Sequence, residues 1–166
     1  MTALSLTAER LRQLLAYDTE SGSFTRILPN HKMKVGSCAG WKNGNGYLRI
    51  DIDGHKYYAH RLAWLWVTGS WPAVHIDHAD GNTMNNRFSN LREATQSENM
   101  QNRHSPASHN TSGFLGVEKG ASPGKWAARI AVDGRRHYLG VFANPEEAHA
   151  VYLQAKSALH PFGKLL

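Results

Sequence analysis

Residues 103–112 read RHSPASHNTS, and this stretch limits the possible folds more than any other part of the chain. It is polar, carries Pro and Ser, and shows neither a helical nor a strand period, which is the composition of a linker. The residue pattern differs on its two sides. A length of 166 residues is enough for one ordinary domain or two small ones. The change of pattern favours two: residues 1–103, a linker at 104–112, and residues 113–166. The expected class is α+β.

Before the linker, Thr7 to Tyr17 begins with a capping residue and puts Leu11, Leu14 and Leu15 on one stripe, which predicts a short helix. Phe24 to Ile27 reads as a strand, and the stretch to Gly46 reads as mostly loops and turns. Tyr47–Ile52 and His55–Ala59 flank Asp53-Gly54, the pattern of a tight hairpin. His60 to Thr68 is apolar on the helical period and stops at Gly69. Val74–Asp77 and Asn90–Arg92 are short strands around a turn at Asp80-Gly81-Asn82. Thr95 with Glu98 three residues later is a capping box that opens a helix. After the linker, Phe114–Lys119, Trp126–Val132 and Arg136–Phe142 read as three strands, and Asn144-Pro145 opens a helix through Leu159.

Several function classes fall away early. Cys38 is the one cysteine, so no internal disulfide framework and no zinc site with two thiolates can form within the chain. The longest apolar run, Leu62–Thr68, is too short to cross a bilayer. Glu9, Arg10 and Arg12 stand where a secretory core would be apolar, so a cytoplasmic location without membrane contact is expected. A net charge of +6 turns attention to polyanionic partners.

Residues 75–103 carry the chemistry. Strand, loop, strand and helix in that order can bring Asp77 and His78 toward the helix that carries Asn99. A carboxylate and an amide oxygen suit Mg²⁺ or Mn²⁺, which keep several waters and need few protein ligands. An imidazole with a pKa near neutrality suits abstraction of a proton from water. Together they would hydrolyse a phosphodiester. His60 is assigned to packing or hydrogen bonding rather than catalysis. Asp80, Asn82, Asn85 and Asn86 are assigned to the loop itself, and His75 to a partly buried or DNA-facing position. His31, His55, His104 and His109 receive no role, and Trp64, Trp66 and Trp71 are expected in the core.

The run Asp77-His78-x-Asp80-Gly81-Asn82, Asn85-Asn86-Arg87, Asn90-Leu91-Arg92 and Thr95-x-x-x-Asn99 resembles the HNH (ββα-metal) endonucleases, most closely the homing branch found in phages and bacteria. The resemblance implies His78 as general base and Asp77 and Asn99 as holders of one divalent ion. It also implies that Asn90 braces the catalytic loop, that Arg87, Arg92 and Arg103 lie along DNA, and that the reaction takes place in the cytoplasm of a bacterial or phage-infected cell.

The last fifty residues resemble the plant ethylene-response-factor (AP-two) DNA-binding domain. The matching pieces are Gly116-Val117, Gly124-Lys125-Trp126-Ala127-Ala128, Leu139-Gly140-x-Phe142, Glu146-Glu147-Ala148 and Ala150-x-Tyr152. That resemblance implies a three-stranded antiparallel sheet packed on one helix, reading double-stranded DNA. Strand alternation places Arg129, Arg136 and Tyr138 on its free face, with Lys125 beside them. Leu115, Glu118 and Ala131 stand where plant members carry Arg, so the plant target site does not carry over. The whole reads as a site-specific DNA endonuclease that needs no small-molecule cofactor, acts as a monomer and nicks one strand. A non-catalytic DNA-binding regulator and an RNA-processing nuclease are the competing readings. Intact Asp77, His78 and Asn99 argue against the first. The sheet reader argues against the second, because A-form RNA closes its major groove to side chains.

Overall fold

The computed structural model describes residues 6–29, 34–103, 105–107 and 109–162. His31, His104 and residues 163–166 lie outside them. The chain divides into two compact units, Met1–Ala94 and Thr95–Leu166. Both are built of helices and small antiparallel sheets, as expected for the α+β class.

The first unit opens with helix α1 (Ala8–Leu14), capped by the Thr7 hydroxyl, which accepts from Arg10 N at 3.2 Å. The helix predicted through Tyr17 stops at Leu14. Residues 15–18 form strand β1 (Leu15–Asp18), which pairs antiparallel with β2 (Ser23–Arg26). Alternating burial of Leu15 and Tyr17 shows why the strand wins: both side chains enter the core only on a two-residue period. The region expected to be mostly loops and turns also supplies β3 (Trp41–Lys42), which joins β4 (Leu48–Ile52) and β5 (His55–Tyr58) in a three-stranded sheet. Asp53 and Gly54 both take positive φ, the turn that an Asp-Gly hairpin requires. Helix α2 (Ala59–Thr68) ends at Gly69, which is left-handed as predicted. Leu11, Leu15, Phe24, Ile50 and Leu62 form the core, and Trp64, Trp66 and Trp71 pack on it half-buried. Strands β6 (His75–His78) and β7 (Leu91–Ala94) make a separate antiparallel pair in which Asp77 faces Arg92 and His78 faces Leu91. Asn90, predicted to begin the second strand, instead closes a 3-10 turn over Phe88–Asn90.

The second unit begins with α3 (Gln96–Gln101). Its capping box is complete: Thr95 Oγ1 accepts from Glu98 N, and Glu98 Oε2 accepts from Thr95 N at 2.7 Å. Strands β8 (Val117–Lys119), β9 (Trp126–Val132) and β10 (Arg135–Phe142) form a sheet with β9 in the middle. Helix α4 (Pro145–Leu159), capped by Asn144, packs on it through Ala148 and Tyr152. The first strand was expected from Phe114, but it starts at Val117. Residues 110–116 instead fold into a loop held by side chains: the Asn110 amide donates to the carbonyls of Phe114 and Val117, and Ser112 Oγ donates to the same two. Gly116 has φ +76, and a Cβ there would come within 2.0 Å of the Tyr152 ring, so no larger residue fits. No helix among the described residues is long and apolar enough to cross a membrane.

Candidate active site

His78 ends β6 and is only 3% exposed. Two aromatic rings meet it within the first unit. His60, at the start of α2, meets it edge-to-face with centroids 5.0 Å apart, and Tyr47 lies 6.1 Å away. Tyr58 stacks on His60 from behind. The hairpin and α2 are adjacent in sequence, so the Asp-Gly turn and the helix start together deliver this wall. Burial drives the His78 pKa down, while the Asn86 hydrogen bond, Asp80 and Asp77 pull it the other way; the net direction is down. Burial, with His78 and Arg61 beside it, takes His60 down to about 3. Both imidazoles are neutral at pH 7. His60 packs, as the sequence predicted.

The loop from Ala79 to Arg87 is tied to itself by amide side chains. Asn90 Oδ1 accepts from Asp80 N at 3.0 Å, and Asn90 Nδ2 donates to Asp80 Oδ1 at 2.9 Å and to Asn85 O at 2.8 Å. Asn85 Nδ2 donates to the other Asp80 oxygen at 2.6 Å. Burial would raise the Asp80 pKa, but the bonds from Asn85, from the Asn82 backbone and from Asn90 outweigh it, and the carboxyl lies below its ordinary value. Asp80 and Asn85 thus act within the loop, as their turn sequence implied.

Asn86 does more than the sequence indicated. It is 1% exposed, and its Oδ1 lies 3.2 Å from His78 Nε2 while its Nδ2 donates to Met84 O. With the amide oriented this way, Nε2 of the neutral imidazole carries the proton. Two contacts hold the Asn86 backbone from below. The Tyr17 hydroxyl donates to Asn86 O at 2.6 Å, and Gly22 lies so close that a Cβ would come within 2.4 Å of Arg87 N. Burial and coupling to Asp18 keep the Tyr17 pKa up at about 12, so the hydroxyl stays a donor. In the sequence Asn86 stands out only within the Asn85-Asn86-Arg87 piece of the motif, without a role of its own.

Asp77 is 5% exposed and receives both Nε and Nη2 of Arg92 on Oδ2, at 3.0 and 2.8 Å. The pair follows from the strand register, which sets these residues opposite each other. His75, on the same strand, is exposed. Arg87 is also exposed at the end of the loop. Asn99 on α3, Arg103 just beyond it, and Lys125, Arg129, Arg136 and Tyr138 of the sheet all belong to the second unit. Among the described residues there is no group of three or more His, Cys, Asp or Glu placed to share a metal.

Comparison with known proteins matches residues 57–101 to the HNH endonuclease family. Protein 3.8 of Escherichia phage T7 is 35% identical over 79 residues, covering 47% of this chain and 64% of that protein. A protein of Acanthamoeba polyphaga mimivirus described as the uncharacterized HNH endonuclease L560 is 30% identical over 114 residues, covering 68% of this chain and 58% of that protein. The chain thus spans about three-fifths of the length of these two relatives. No solved structure matches the chain.

Proposed function

From the HNH endonuclease domain that residues 57–101 carry, we propose that the chain is a site-specific DNA endonuclease of homing type that hydrolyses one phosphodiester at a time with a single divalent ion. The observation that carries this reading is His78: an almost fully buried imidazole held on Asn86 Oδ1 at the end of β6, next in the strand to Asp77. An imidazole kept neutral by its surroundings is ready to take a proton from water at pH 7. Asn86 keeps the Nε2 proton in place, so the ring presents one tautomer. Asn90 fixes the loop that carries Asn86 and thereby acts as a positioning residue.

Asp77 and Asn99 are the residues we assign to hold Mg²⁺ or Mn²⁺; when bound, the ion would polarise the phosphodiester and offset charge developing on it. Arg92, which the motif assigns to DNA, also donates twice to Asp77 Oδ2 and so helps orient that carboxylate. Arg87 and Arg103 are assigned to backbone phosphates. The second unit supplies readout through Lys125, Arg129, Arg136 and Tyr138, in the manner of the sheet it resembles. A linked second reader suits a nuclease whose centre would cut any phosphodiester within reach. The relative from Escherichia phage T7 supports a phage-infected bacterial cytoplasm as the setting.

The test is relaxation of supercoiled plasmid with and without Mg²⁺ or Mn²⁺, using the wild-type chain and His78→Ala. Metal-dependent cutting that falls about 10²–10⁴-fold in the variant is expected. Full-rate cutting by a folded His78→Ala protein would overturn the assignment.

A further inference from the structure

On the free face of the second unit's sheet, one carboxylate joins two guanidiniums. Glu118 on β8 lies 2.9 Å through Oε1 from Arg129 Nε on β9, and its Oε2 accepts from Arg136 Nη2 on β10 at 3.1 Å. All three strands contribute one member. The register explains it: Glu118 pairs with Ala127, Arg129 with Tyr138 and Arg136 with Ala131, so all of these side chains leave the same face. The Arg129 guanidinium also lies over the Tyr138 ring, 5.8 Å from its centroid, and Tyr138 is 60% exposed. Beside the bridge is a cavity of about 300 Å³, lined also by His109, Asn110 and Thr111.

Exposed ion pairs add little to stability, and side chains left this open to solvent do not hold a core together. The bridge therefore acts on what the face presents. Unpaired, two arginines on a sheet attract any phosphate. Bridged, they share one negative charge: Arg129 is held by the ion pair at Nε and Arg136 by a hydrogen bond from one Nη, which limits the directions of the remaining N–H groups. The Tyr138 ring supports one of them from the side. A donor fork held in this way matches a guanine edge, and a carboxylate can itself accept from the amino group of cytosine.

We infer that Glu118 is the specificity-determining residue of this face, trading general phosphate attraction for oriented contact with base edges in duplex DNA. The inference rests on the proposal that the sheet of the second unit touches DNA.

The experiment measures binding of the full-length chain in metal-free buffer across a salt series, by fluorescence anisotropy. The probes are a duplex selected by the wild-type chain from a random pool and a shuffled duplex of the same base composition. Glu118→Gln should bind the shuffled duplex more tightly and steepen its salt dependence by about one counterion. It should also reduce the preference for the selected duplex by about tenfold. Arg129→Gln and Arg136→Gln should weaken binding to the selected duplex. If both arginine variants bind the two duplexes like the wild type, the face does not touch DNA and the underlying proposal falls. If they weaken binding while Glu118→Gln keeps the wild-type salt slope and preference, the role of Glu118 alone is overturned.

Discussion

Asn86 Oδ1 sits 3.2 Å from His78 Nε2, although the two residues leave different elements: one ends a strand, the other lies in a loop propped by Tyr17 and Gly22. A buried imidazole in this chain is therefore oriented by an amide whose own position depends on the N-terminal hairpin. Asn86→Ala should lower stability by about 1–3 kcal/mol, the usual effect of stripping partners from buried polar groups. It should also slow cleavage at temperatures where the protein stays folded. Urea titration and single-turnover plasmid cleavage check both effects, and wild-type cleavage by the folded variant would contradict the role.

Asn90 joins the backbone N–H and the carboxylate of Asp80 and the carbonyl of Asn85 through one side chain. Asn90→Asp replaces a donor by a second carboxylate facing Asp80, so it should be worse than Asn90→Ala at neutral pH. Acid should narrow the gap between them as the carboxylates become protonated. Melting curves for the two variants at neutral and mildly acidic pH decide it; a gap that does not change with pH would argue against direct contact.

Asp77→Asn and Asn99→Ala should each raise the Mn²⁺ concentration needed for half-maximal cleavage while leaving DNA binding intact or improved. Removing the Asp77 charge also removes repulsion of phosphate. Arg92→Ala strips two hydrogen bonds from a carboxylate that is 5% exposed, and its effect should fall more on stability than on metal dependence. Titrating Mn²⁺ against cleavage rate separates the three variants. An unchanged metal requirement in both Asp77→Asn and Asn99→Ala would sink the ligand assignment.

His60 is held neutral down to about 3 in the folded state, whereas an unfolded imidazole takes up its proton near 6.5. The unfolded chain therefore binds the proton first as the pH falls. The stability due to the neutral ring is complete above about 6.5, and each pH unit below that removes up to about 1.4 kcal/mol. His78 is displaced in the same direction and adds to the slope. Urea unfolding at about pH 7.5 and about pH 5.5 should show a marked loss on the acid side, reduced in His60→Phe. Equal pH slopes in the two proteins would refute the contribution of His60.

A protomer with one Asp77-His78 pair should nick before it linearises. Supercoiled plasmid with a single target site, at limiting protein, should give open circles ahead of linear DNA. Linear product from the outset, with a dimeric mass in solution, would require a second protomer in the act.

Features decided within a few residues were legible in the chain itself. The Asp53-Gly54 hairpin needs positive φ at two adjacent positions, and the Thr95–Glu98 box is closed by bonds three residues apart. The stop at Gly69 and the Asn144-Pro145 helix start likewise depend on local backbone geometry. The residues proposed for the site were picked out as residue types at a spacing, because a base and oxygen ligands are chemically distinctive. Tertiary structure decided the rest. The end of α1 at Leu14 was set by the pairing of β1 with β2, which outweighs helix periodicity by burying Leu15 and Tyr17. The bond from Tyr17 to Asn86 spans 69 positions, and the His60–His78 contact joins a helix start to a strand end. Strand alternation put Arg129, Arg136 and Tyr138 on one face, but the bridging of both arginines by Glu118 came from three strands in register. Such contacts follow from how separate elements pack, and no short window of sequence contains the forces that set them.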